Sequence, residues 1–383
     1  MRQDNEVYVA ADKTSNFYRM TKENYEEMLL KNVTNEYKKS SEAFVSKVNN
    51  GDKKIAEELE IDDRVYKFQK SQTFVTIKDH KDNFRNNTKC RLINSAKPEL
   101  GKVSKKVLSR VVSALKAKTQ LKQWKNSFSV IEWFKSLGDK KTLSFIQFDI
   151  VEFYPSISEK LLKDALNYAK NLVELTKDEI QLILQTKQAI LFNKNQPWVK
   201  KGGKSFNVTM GSYDGAETAD LVGLYLLSQL SKLNLNIGLY RDDGLAVCNL
   251  KPRQAELTRK KLCEIFKENG LKITSVANVK NVNFLDINLD LEKDTFSPYM
   301  KPNDKPVYVH ADSNHPRSIL EYFPRSVNKR LSSISSSQEV FEKSVYPYQE
   351  ALKSSGYSYQ LRYDPEIAPP QKNQKNQIIE KGR

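Results

Sequence analysis

The chain has 383 residues, with 63 Lys and Arg against 47 Asp and Glu, which gives a formal net charge of +16. This length allows two or three units of ordinary domain size. The charge indicates a polyanionic partner, usually nucleic acid, because cationic side chains displace condensed counterions from phosphates. We expect no transmembrane helix, signal peptide, disulfide framework or zinc site, because the sequence has no long apolar run, a polar N-terminus and three isolated cysteines.

Polar and charged residues dominate the first 60 positions, and their apolar spacing predicts helices around Asn24–Leu30 and Ala43–Val48. Two short strands are predicted at 72–78 and 90–94. A polar, basic loop joins these strands, so we predict a hairpin with exposed positive charge.

The next predicted elements are two helical regions with a strand between them. A helical pattern runs from Gly101 to about Leu137, and the apolar segment 142–150 predicts a strand. Ser158 is a suitable N-cap for an amphipathic helix. A further helix over 177–186 precedes a basic, Gly-containing loop over 192–206.

The later elements are, in chain order, a long apolar helix over 217–233, a hairpin over 236–249, a helix over 253–268, a strand over 271–276 and a hairpin over 283–292. We expect Gly244 to close the turn of the first hairpin and Asn269-Gly270 to end the helix over 253–268. The order strand, helices, strand–turn–strand, helix, strand predicts a ferredoxin-like, split βαβ arrangement. Beyond it, 295–331 is expected to be rich in loops, 338–356 to be helical, and the tail from Pro365 to be disordered.

Three carboxylates occupy positions that such a sheet can bring together. Asp149 ends an otherwise apolar strand, and Asp242 and Asp243 lie in the turn of the hairpin predicted beside that strand. Carboxylates in one cleft repel one another unless a divalent cation binds there, and their hard oxygens suit Mg²⁺. Two such ions about 4 Å apart can catalyse in-line displacement at phosphorus. Taken alone, an Asp-Asp-Gly turn is more often a solvated hairpin tip.

The flanking residues resemble those of reverse transcriptases. FDIVEFYPSI (148–157) resembles the first palm motif of the family, and YRDDG (240–244) resembles its YxDD box. The other matching segments are the Gly-containing turn VTMGSYDGAE (208–217) and the later palm and thumb-boundary motifs GLKIT (270–274) and NFLDINLDL (283–291). Their order and spacing are far more specific than any single motif, and the resemblance covers about residues 72–360.

Two outer segments narrow the resemblance to Penelope-like retroelement enzymes. ADKTSNFY (11–18), together with TIKDHK and CRLIN, resembles their finger region, and SNHPRSILEYFPRSVNKRLS (313–332) resembles their thumb signature. These relatives often continue into a GIY-YIG endonuclease. No such module is found in this sequence, which leaves open that the chain is a fragment of a longer element protein.

The resemblance implies an α+β right-hand polymerase with fingers, a ferredoxin-like palm and a helical thumb. The implied divisions are an N-terminal helical extension at 1–60, fingers at 61–140, a palm at 141–293, a thumb at 294–360 and a disordered tail at 361–383.

The implied activity is RNA-directed DNA polymerisation. The enzyme would add dNTPs to a DNA primer on an RNA template, hold an RNA–DNA hybrid, and use two Mg²⁺ ions that Mn²⁺ can replace. We expect an intracellular protein, nuclear if the element is eukaryotic.

The resemblance also assigns roles to residues near the carboxylates. Asp149 and Asp242 correspond to the two essential metal ligands and Asp243 to the accessory acid, with Ile150 as a neighbouring metal and dNTP contact. Tyr154 falls where the family places an aromatic ring that excludes a 2′-hydroxyl, because a ring under C2′ leaves room for hydrogen but not for OH. The alternative is an ordinary core tyrosine, and Phe153 is expected in the core.

The triphosphate and template contacts are implied in the same way. Arg91 resembles the finger arginine that grips the triphosphate, since guanidinium suits bidentate phosphate contact. Lys78 and Lys81 are candidates for the same task, although a loop lysine can equally be a solvated charge. Gly211 is expected to let the backbone approach the templating base pair. Lys272 is either a general acid toward pyrophosphate or a surface lysine.

Four further residues are assigned to nucleic-acid contacts. Tyr240 packs beneath the active site, and Arg241 fills the variable YxDD position with a long cation that can reach the primer backbone. His315 and Arg317 are expected to hold the helix that tracks the product duplex, although His315 can equally be a capping residue.

The turn after Gly211 departs from the family pattern. Asp214 and Glu217 would add acids near the template path, and Tyr213 stands where many relatives have a proline. The departure concerns the template contact and leaves the expected chemistry unchanged.

Three other functions remain open. A viral-type RNA-directed RNA polymerase would share the paired acids, although such enzymes usually carry a second acid near position 154. A decayed element protein would only bind nucleic acid, which the presence of all three acids disfavours. A telomerase-like role lacks a dedicated RNA-binding domain in this sequence.

Overall fold

The chain folds into two compact units in a computed structural model. The structure describes residues 5–12, 16–64, 72–79, 84, 88–94, 98–202, 205–301 and 305–366. Unit 1 comprises Met1–Gln123 and Phe145–Asn278, and unit 2 comprises Trp124–Ser144 and Val279–Arg383. The boundaries of fingers, palm and thumb given above stay predictions. Among the described residues, no helix has the length and apolar character needed to cross a membrane.

Helices of the described residues are α1 Lys22–Glu36, α2 Glu42–Glu58, α3 Pro98–Thr119, α4 Ser127–Lys135, α5 Phe153–Ser156, α6 Glu159–Lys170, α7 Lys177–Thr186, α8 Gly215–Leu230, α9 Pro252–Glu268, α10 Arg317–Ser333, α11 Gln338–Ser344 and α12 Tyr346–Ser354. Short side chains define where several of them begin. The hydroxyls of Ser158 and Thr176, for example, accept hydrogen bonds from the third backbone N–H of α6 and α7. The predicted helix starts at these positions are confirmed.

Strands of the described residues are β1 Glu6–Ala10, β2 Phe17–Thr21, β3 Tyr37–Lys39, β4 Phe74–Ile77, β5 Cys90–Ile93, β6 Ser144–Ile150, β7 Leu191–Asn193, β8 Gln196–Lys200, β9 Asn236–Tyr240, β10 Asp243–Cys248, β11 Ile273–Val279, β12 Asn281–Phe284, β13 Ile287–Asp290 and β14 Thr295–Pro298. They form sheets in the orders β1-β2, β4-β5, β3-β8-β7, β11-β6-β10-β9 and β12-β13-β14.

The sheet β11-β6-β10-β9 has the strand order of a ferredoxin-like fold, with the first strand between the last strand and the hairpin. This confirms the predicted strand order. One face of β6 places Ile146, Phe148 and Ile150 in a large apolar core that also contains buried residues of α3, α6, α8 and α9. Because side chains alternate along a strand, Gln147 and Asp149 lie on the opposite face.

Gly244 has a different role from the one predicted. Tyr240 pairs with Asp243, so Arg241 and Asp242 form the two-residue turn and Gly244 is the second residue of β10. A Cβ at Gly244 would overlap the ring of Phe148, which is buried against Phe266. Glycine is therefore required because the aromatic ring of the neighbouring strand occupies the space above its Cα.

A buried ion pair anchors the start of α8. Lys187 and Asp214 form a salt bridge in which the two side chains are 0% and 1% exposed. The Asp214 carboxylate also accepts hydrogen bonds from the hydroxyls of Ser104 on α3 and Thr186 on α7. The Asp214 carboxylate therefore balances a buried lysine and ties three helices together, while its place near the template path stays a prediction.

The predicted loop over 192–206 is instead largely a β-hairpin. Strands β7 and β8 pair so that Asn193 faces Gln196, and the two residues between them, Lys194 and Asn195, have φ values of 50° and 62°. Positive φ at both central residues is the geometry of a type I′ turn, whose twist matches that of paired strands. The loop prediction failed because the turn contains asparagine and lysine without a glycine.

The N-terminal segment 1–60 is more than the helical extension predicted. The two expected helices are present as α1 and α2, and both are longer than their apolar patterns indicated. The described residues before them form the β1–β2 hairpin, in which Val7 pairs with Met20 and Val9 with Tyr18.

Unit 2 contains more helix than predicted. The region 295–331 was expected to be rich in loops, but α10 begins at Arg317 and continues through Pro324, with Val327 and Leu331 buried on one face. Proline lacks the N–H that would bond to the previous turn, and its presence therefore made the sequence pattern favour an irregular segment. The helical prediction over 338–356 is confirmed by α11 and α12.

The tail predicted to be disordered from residue 361 begins as packed chain. Leu361 is 4% exposed, and its N–H donates to the side chain of Gln349. The N–H groups of Arg362 and Asp364 donate to side chains of α10, those of Asn328 and Ser332. Residues 367–383, the remainder of that prediction, lie outside the described residues.

We predict that Gly244→Ala destabilises the protein by about 1–3 kcal/mol, because the added methyl overpacks against Phe148. Urea unfolding of the variant measures this loss. Gly138→Ala is the matched control, since a Cβ there meets nothing within 4 Å. A loss at Gly244 no larger than that at Gly138 would show that the strand relaxes freely.

We predict that Lys187→Met lowers the free energy of unfolding by about 3–5 kcal/mol, because it leaves a buried carboxylate without its cation. Removing both charges in Lys187→Met/Asp214→Leu should recover most of that loss. The control is Lys163→Met, which breaks an exposed pair with Glu159 on α6 and should change the free energy by less than about 0.5 kcal/mol. Similar losses for the two single variants in calorimetry would contradict the structural role of the buried pair.

Candidate active site

The two central strands of the sheet bring the backbone at Asp149 next to the turn that contains Asp242. The N–H of Ile150, at the end of β6, donates to the carbonyl of Asp242, in the turn before β10, at 2.9 Å. The next residue, Val151, donates to the carbonyl of Lys272 at 2.9 Å. Asp149 therefore lies in the stretch of backbone between the Asp242 turn and the start of β11.

The alternation of side chains along a strand also determines on which face of the sheet these acids lie. Ala246 and Cys248 of β10 lie in the helical core, so Asp243, an odd number of positions away, lies on the opposite face of the sheet. That is also the face of Asp149. Asp149 is exposed, whereas Asp242 and Asp243 are half-buried.

The donor set fits magnesium chemistry. Among the described residues, no group of three or more His, Cys, Asp or Glu side chains is arranged so that it holds a metal by itself. Mg²⁺ in nucleotide-processing enzymes is usually bound by one or two carboxylates together with substrate phosphates. Asp149 and Asp242 supply carboxylates of this kind at adjoining strand ends.

The side chain and the N–H of Ile150 are both engaged within the fold. Its side chain is 1% exposed and belongs to the apolar core. Its N–H is bonded to Asp242. The contact to metal or dNTP predicted for this residue would therefore have to use its carbonyl oxygen, and it stays a prediction.

Arg241 lies at the tip of the turn with φ at 53°, in the left-handed region. Its guanidinium carbon lies 5.7 Å from the centroid of the Tyr240 ring, a cation–π contact. Loss of hydration opposes protonation, but Tyr154, Tyr240, Asp220 and Asp242 together raise the pKa of Arg241. The long cation in the variable YxDD position thus neutralises part of the acidic surroundings.

Asp220, on α8, is an acid near this turn that sequence reasoning missed. Burial raises the pKa of its carboxyl, while Lys116 and Arg241 act in the opposite direction. No motif marks this residue, because it lies within a predominantly apolar helix whose pattern indicates core packing. Its interaction with Arg241 became visible only from the position of α8 beside the turn.

Tyr154 lies near Arg241, Asp242 and Asp220. Burial raises the pKa of its phenol, Arg241 opposes that shift, and Asp242, Asp220 and Glu217 add to it. The ring is half-buried, and its Cε1 would lie 3.5 Å from a Cβ added to Gly215 at the start of α8. The neighbouring Phe153 is 2% exposed, which confirms its expected place in the core.

Gly211 lies in the turn that precedes α8, with φ at 99°. A Cβ at this position would approach Ile93 to 3.0 Å and the backbone of Asn94 to 3.2 Å. Asn94 also donates its N–H to the carbonyl of Met210 at 2.8 Å and accepts from the hydroxyl of Thr209 at 3.0 Å. Glycine is therefore needed to join this turn to the end of β5, and the template contact stays a prediction.

Arg91 lies on β5, opposite Thr76 of β4. Its Nη1 lies 2.9 Å from the carboxylate of Asp12, a partner that sequence reasoning missed although Asp12 stands within the ADKTSNFY segment. Lys78 follows β4 and donates its N–H to the carbonyl of Lys89. Lys81 lies outside the described residues.

The other predicted contacts are divided between the two units. Tyr240 is half-buried at the end of β9, and the side chain of Lys272 is exposed. His315 and Arg317 belong to unit 2 and are exposed. His315 Nδ1 lies 3.0 Å from the hydroxyl of Ser313, and Arg317 pairs with Glu321 one turn along α10 at 3.2 Å. Their nucleic-acid roles stay predictions.

No protein-family model and no curated protein matches this sequence. Solved structures do match. The telomerase of Candida albicans in complex with a fragment of telomeric RNA aligns with a TM-score of 0.63 and 10% identity, covering 91% of this chain and 60% of that chain. Apo telomerase from Candida tropicalis aligns with a TM-score of 0.56 and 12% identity, covering 92% of this chain and 66% of that chain.

The RNA-dependent RNA polymerase of a human picobirnavirus aligns with a TM-score of 0.52 and 10% identity, covering 75% of this chain and 59% of that chain. The chain thus spans less than two thirds of the length of each of these three proteins. At these identities the likeness concerns the fold. The chain has a reverse-transcriptase-like polymerase fold of mixed helix and sheet, similar to that of telomerase and of a viral RNA polymerase.

Proposed function

We propose that this chain is an RNA-directed DNA polymerase of a retroelement, which adds dNTPs to the 3′-hydroxyl of a primer. The observation that carries the proposal is the junction of β6 with the Asp242 turn, which places Asp149 and Asp242 at adjoining strand ends within a polymerase fold. The net charge of +16 supports a nucleic-acid partner.

Asp149 and Asp242, with Asp243 as the accessory acid, are the residues that would hold Mg²⁺ or Mn²⁺. When bound, the divalent ions supply Lewis-acid stabilisation of charge on the phosphates and activation of the primer hydroxyl. The contribution of the chain is to hold the carboxylates at fixed positions, because the two residues that follow Asp149 are bonded to Asp242, just before β10, and to Lys272, just before β11.

The roles of the other site residues are inferred from the chemistry of their side chains and from their positions in the fold. Arg91 binds the triphosphate, since its guanidinium offers several N–H donors to phosphate oxygens. The ring of Tyr154, held against the start of α8, excludes a ribose 2′-hydroxyl. Arg241 provides positive charge at the turn and contacts the primer backbone.

The retroelement assignment rests on sequence motifs. The segments 11–18 and 313–332 resemble those of Penelope-like enzymes, and the likeness of the fold to telomerase is compatible with that group. A telomerase-like or viral RNA polymerase activity is the alternative that the same fold likeness favours.

We predict that the chain extends a DNA primer on an RNA template in the presence of Mg²⁺, and that chelation abolishes extension. Asp242→Asn should lower the extension rate by at least about 100-fold, because it removes a charge from the metal-binding carboxylates. Asp178→Asn, an exposed acid in the first turn of α7, is the matched control and should retain native activity. Gel-resolved single-nucleotide extension measures both.

The binding-only alternative has a distinct result. If the native chain and Asp242→Asn bind primer–template equally and neither extends it with Mg²⁺ or Mn²⁺, the polymerase proposal is wrong.

We predict that Tyr154→Ala reduces discrimination against ribonucleotides by about tenfold or more, because it removes the ring that excludes the 2′-hydroxyl. Tyr154→Phe keeps the ring and should keep the discrimination. Competition between dNTPs and rNTPs measures the ratio. A native chain that prefers rNTPs would instead identify an RNA-directed RNA polymerase.

A further inference from the structure

Asp12, to which no role has been assigned so far, has a buried carboxylate. Its side chain is 4% exposed, and its Oδ1 lies 2.9 Å from Nη1 of Arg91. A buried carboxylate is strongly unfavourable unless it is paired. The connection between β1 and β2 therefore places the Asp12 carboxylate against Arg91, the arginine that we assign to triphosphate binding.

The hairpin is held in place independently of the Asp12 side chain. The backbone N–H of Asp12 donates to the carbonyl of Ile77 at 2.7 Å. Asn16 and Tyr18 both donate side-chain hydrogen bonds to the carboxylate of Asp79, each at 2.8 Å. Removing the Asp12 carboxylate thus leaves intact the attachments of the hairpin to the end of β4 and to Asp79.

The geometry of the pair leaves Arg91 able to bind a second anion. A guanidinium has five N–H groups, and the contact to Asp12 involves one terminal nitrogen. The Arg91 side chain is 32% exposed. Asp12 Oδ2 and Arg91 Nε are buried without a hydrogen-bond partner among the described residues, so the pair is held by a single nitrogen–oxygen contact.

We propose that Asp12 is a positioning residue that holds the Arg91 guanidinium in the orientation that meets the triphosphate of the incoming nucleotide. This inference rests on the proposed polymerase function. A free arginine loses rotamer freedom when it binds a phosphate, and an arginine already held by a carboxylate loses less. The positioning role therefore predicts weaker nucleotide binding when the carboxylate is removed.

A competing role for Asp12 predicts the opposite sign. If the carboxylate merely occupies Arg91 as an internal anion, its removal frees positive charge and nucleotide binding becomes tighter. The direction of the change in KM for dNTP separates these two roles.

The test is steady-state primer extension with Asp12→Ala and Asp12→Asn. Asp12→Ala should raise the KM for dNTP about three- to tenfold, with kcat within about twofold of native. Asp12→Asn should stay within about twofold of native for both constants, because its amide oxygen can take the position of Oδ1, 2.9 Å from Nη1 of Arg91. Asp12→Ser, which is too short to reach Arg91, replaces Asp12→Ala if that variant does not fold.

Glu6→Ala is the matched control. Glu6 forms an ion pair with Arg19 at 2.6 Å at the other end of the same hairpin, so this variant removes a carboxylate from the hairpin without touching Arg91. It should leave KM unchanged.

Coupling between the two residues gives a second measurement. Arg91→Ala alone should raise KM, and adding Asp12→Ala to it should change KM by no more than about twofold, because the arginine that Asp12 positions is already absent. A further rise in the double variant overturns the proposal.

A lower or unchanged KM in Asp12→Ala, or a fall in kcat without a change in KM, also overturns it. In these cases the native chain still extends the primer, and the proposed function stands. If the native chain shows no extension, both the function and this inference fall.

Discussion

The pairing of β6 with β10 is the constraint on which the candidate site depends. The bond from Ile150 to Asp242 fixes the register of these strands, and the ring of Phe148 occupies the space that only glycine leaves at position 244. A shift of one residue would turn every side chain of a strand to its other face. Asp149 would then lie in the helical core, and a core aromatic ring would take its place on the opposite face. Packing of apolar residues on one face thus determines where the acids lie on the other.

The surroundings of the site depend on a second buried interaction. The Lys187–Asp214 pair joins α7 to the start of α8, and α8 carries Asp220 and contacts Tyr154 near its first residue. The turn that precedes α8 and contains Gly211 is bonded to Asn94, at the end of β5. Asn94 lies three residues after Arg91. The carboxylates, the tyrosine and the arginine are therefore positioned by one connected part of unit 1. Because each connection involves buried groups, a change in one of them is expected to move the others.

Sequence patterns predicted most of the helices and the central sheet, for a physical reason. Amphipathic periodicity and capping side chains are local, so α6, α7 and α9 were predictable from their own residues. Patterns failed where a local rule was broken. Pro324 lies inside α10, and the turn of the β7–β8 hairpin places Lys194 and Asn195 at positive φ without glycine. In both places, packing against distant parts of the chain outweighs the local preference.

The sequence by itself determined the identity of the acids, their order along the chain and the alternation that separates them from the core. Only the tertiary structure decided which charges face one another. Asp214 is buried against Lys187, and Arg91 is paired with Asp12 of a hairpin that no pattern predicted. An ion pair between residues far apart in the chain leaves no periodic trace, because its energy depends on burial and geometry that exist only once the chain has folded.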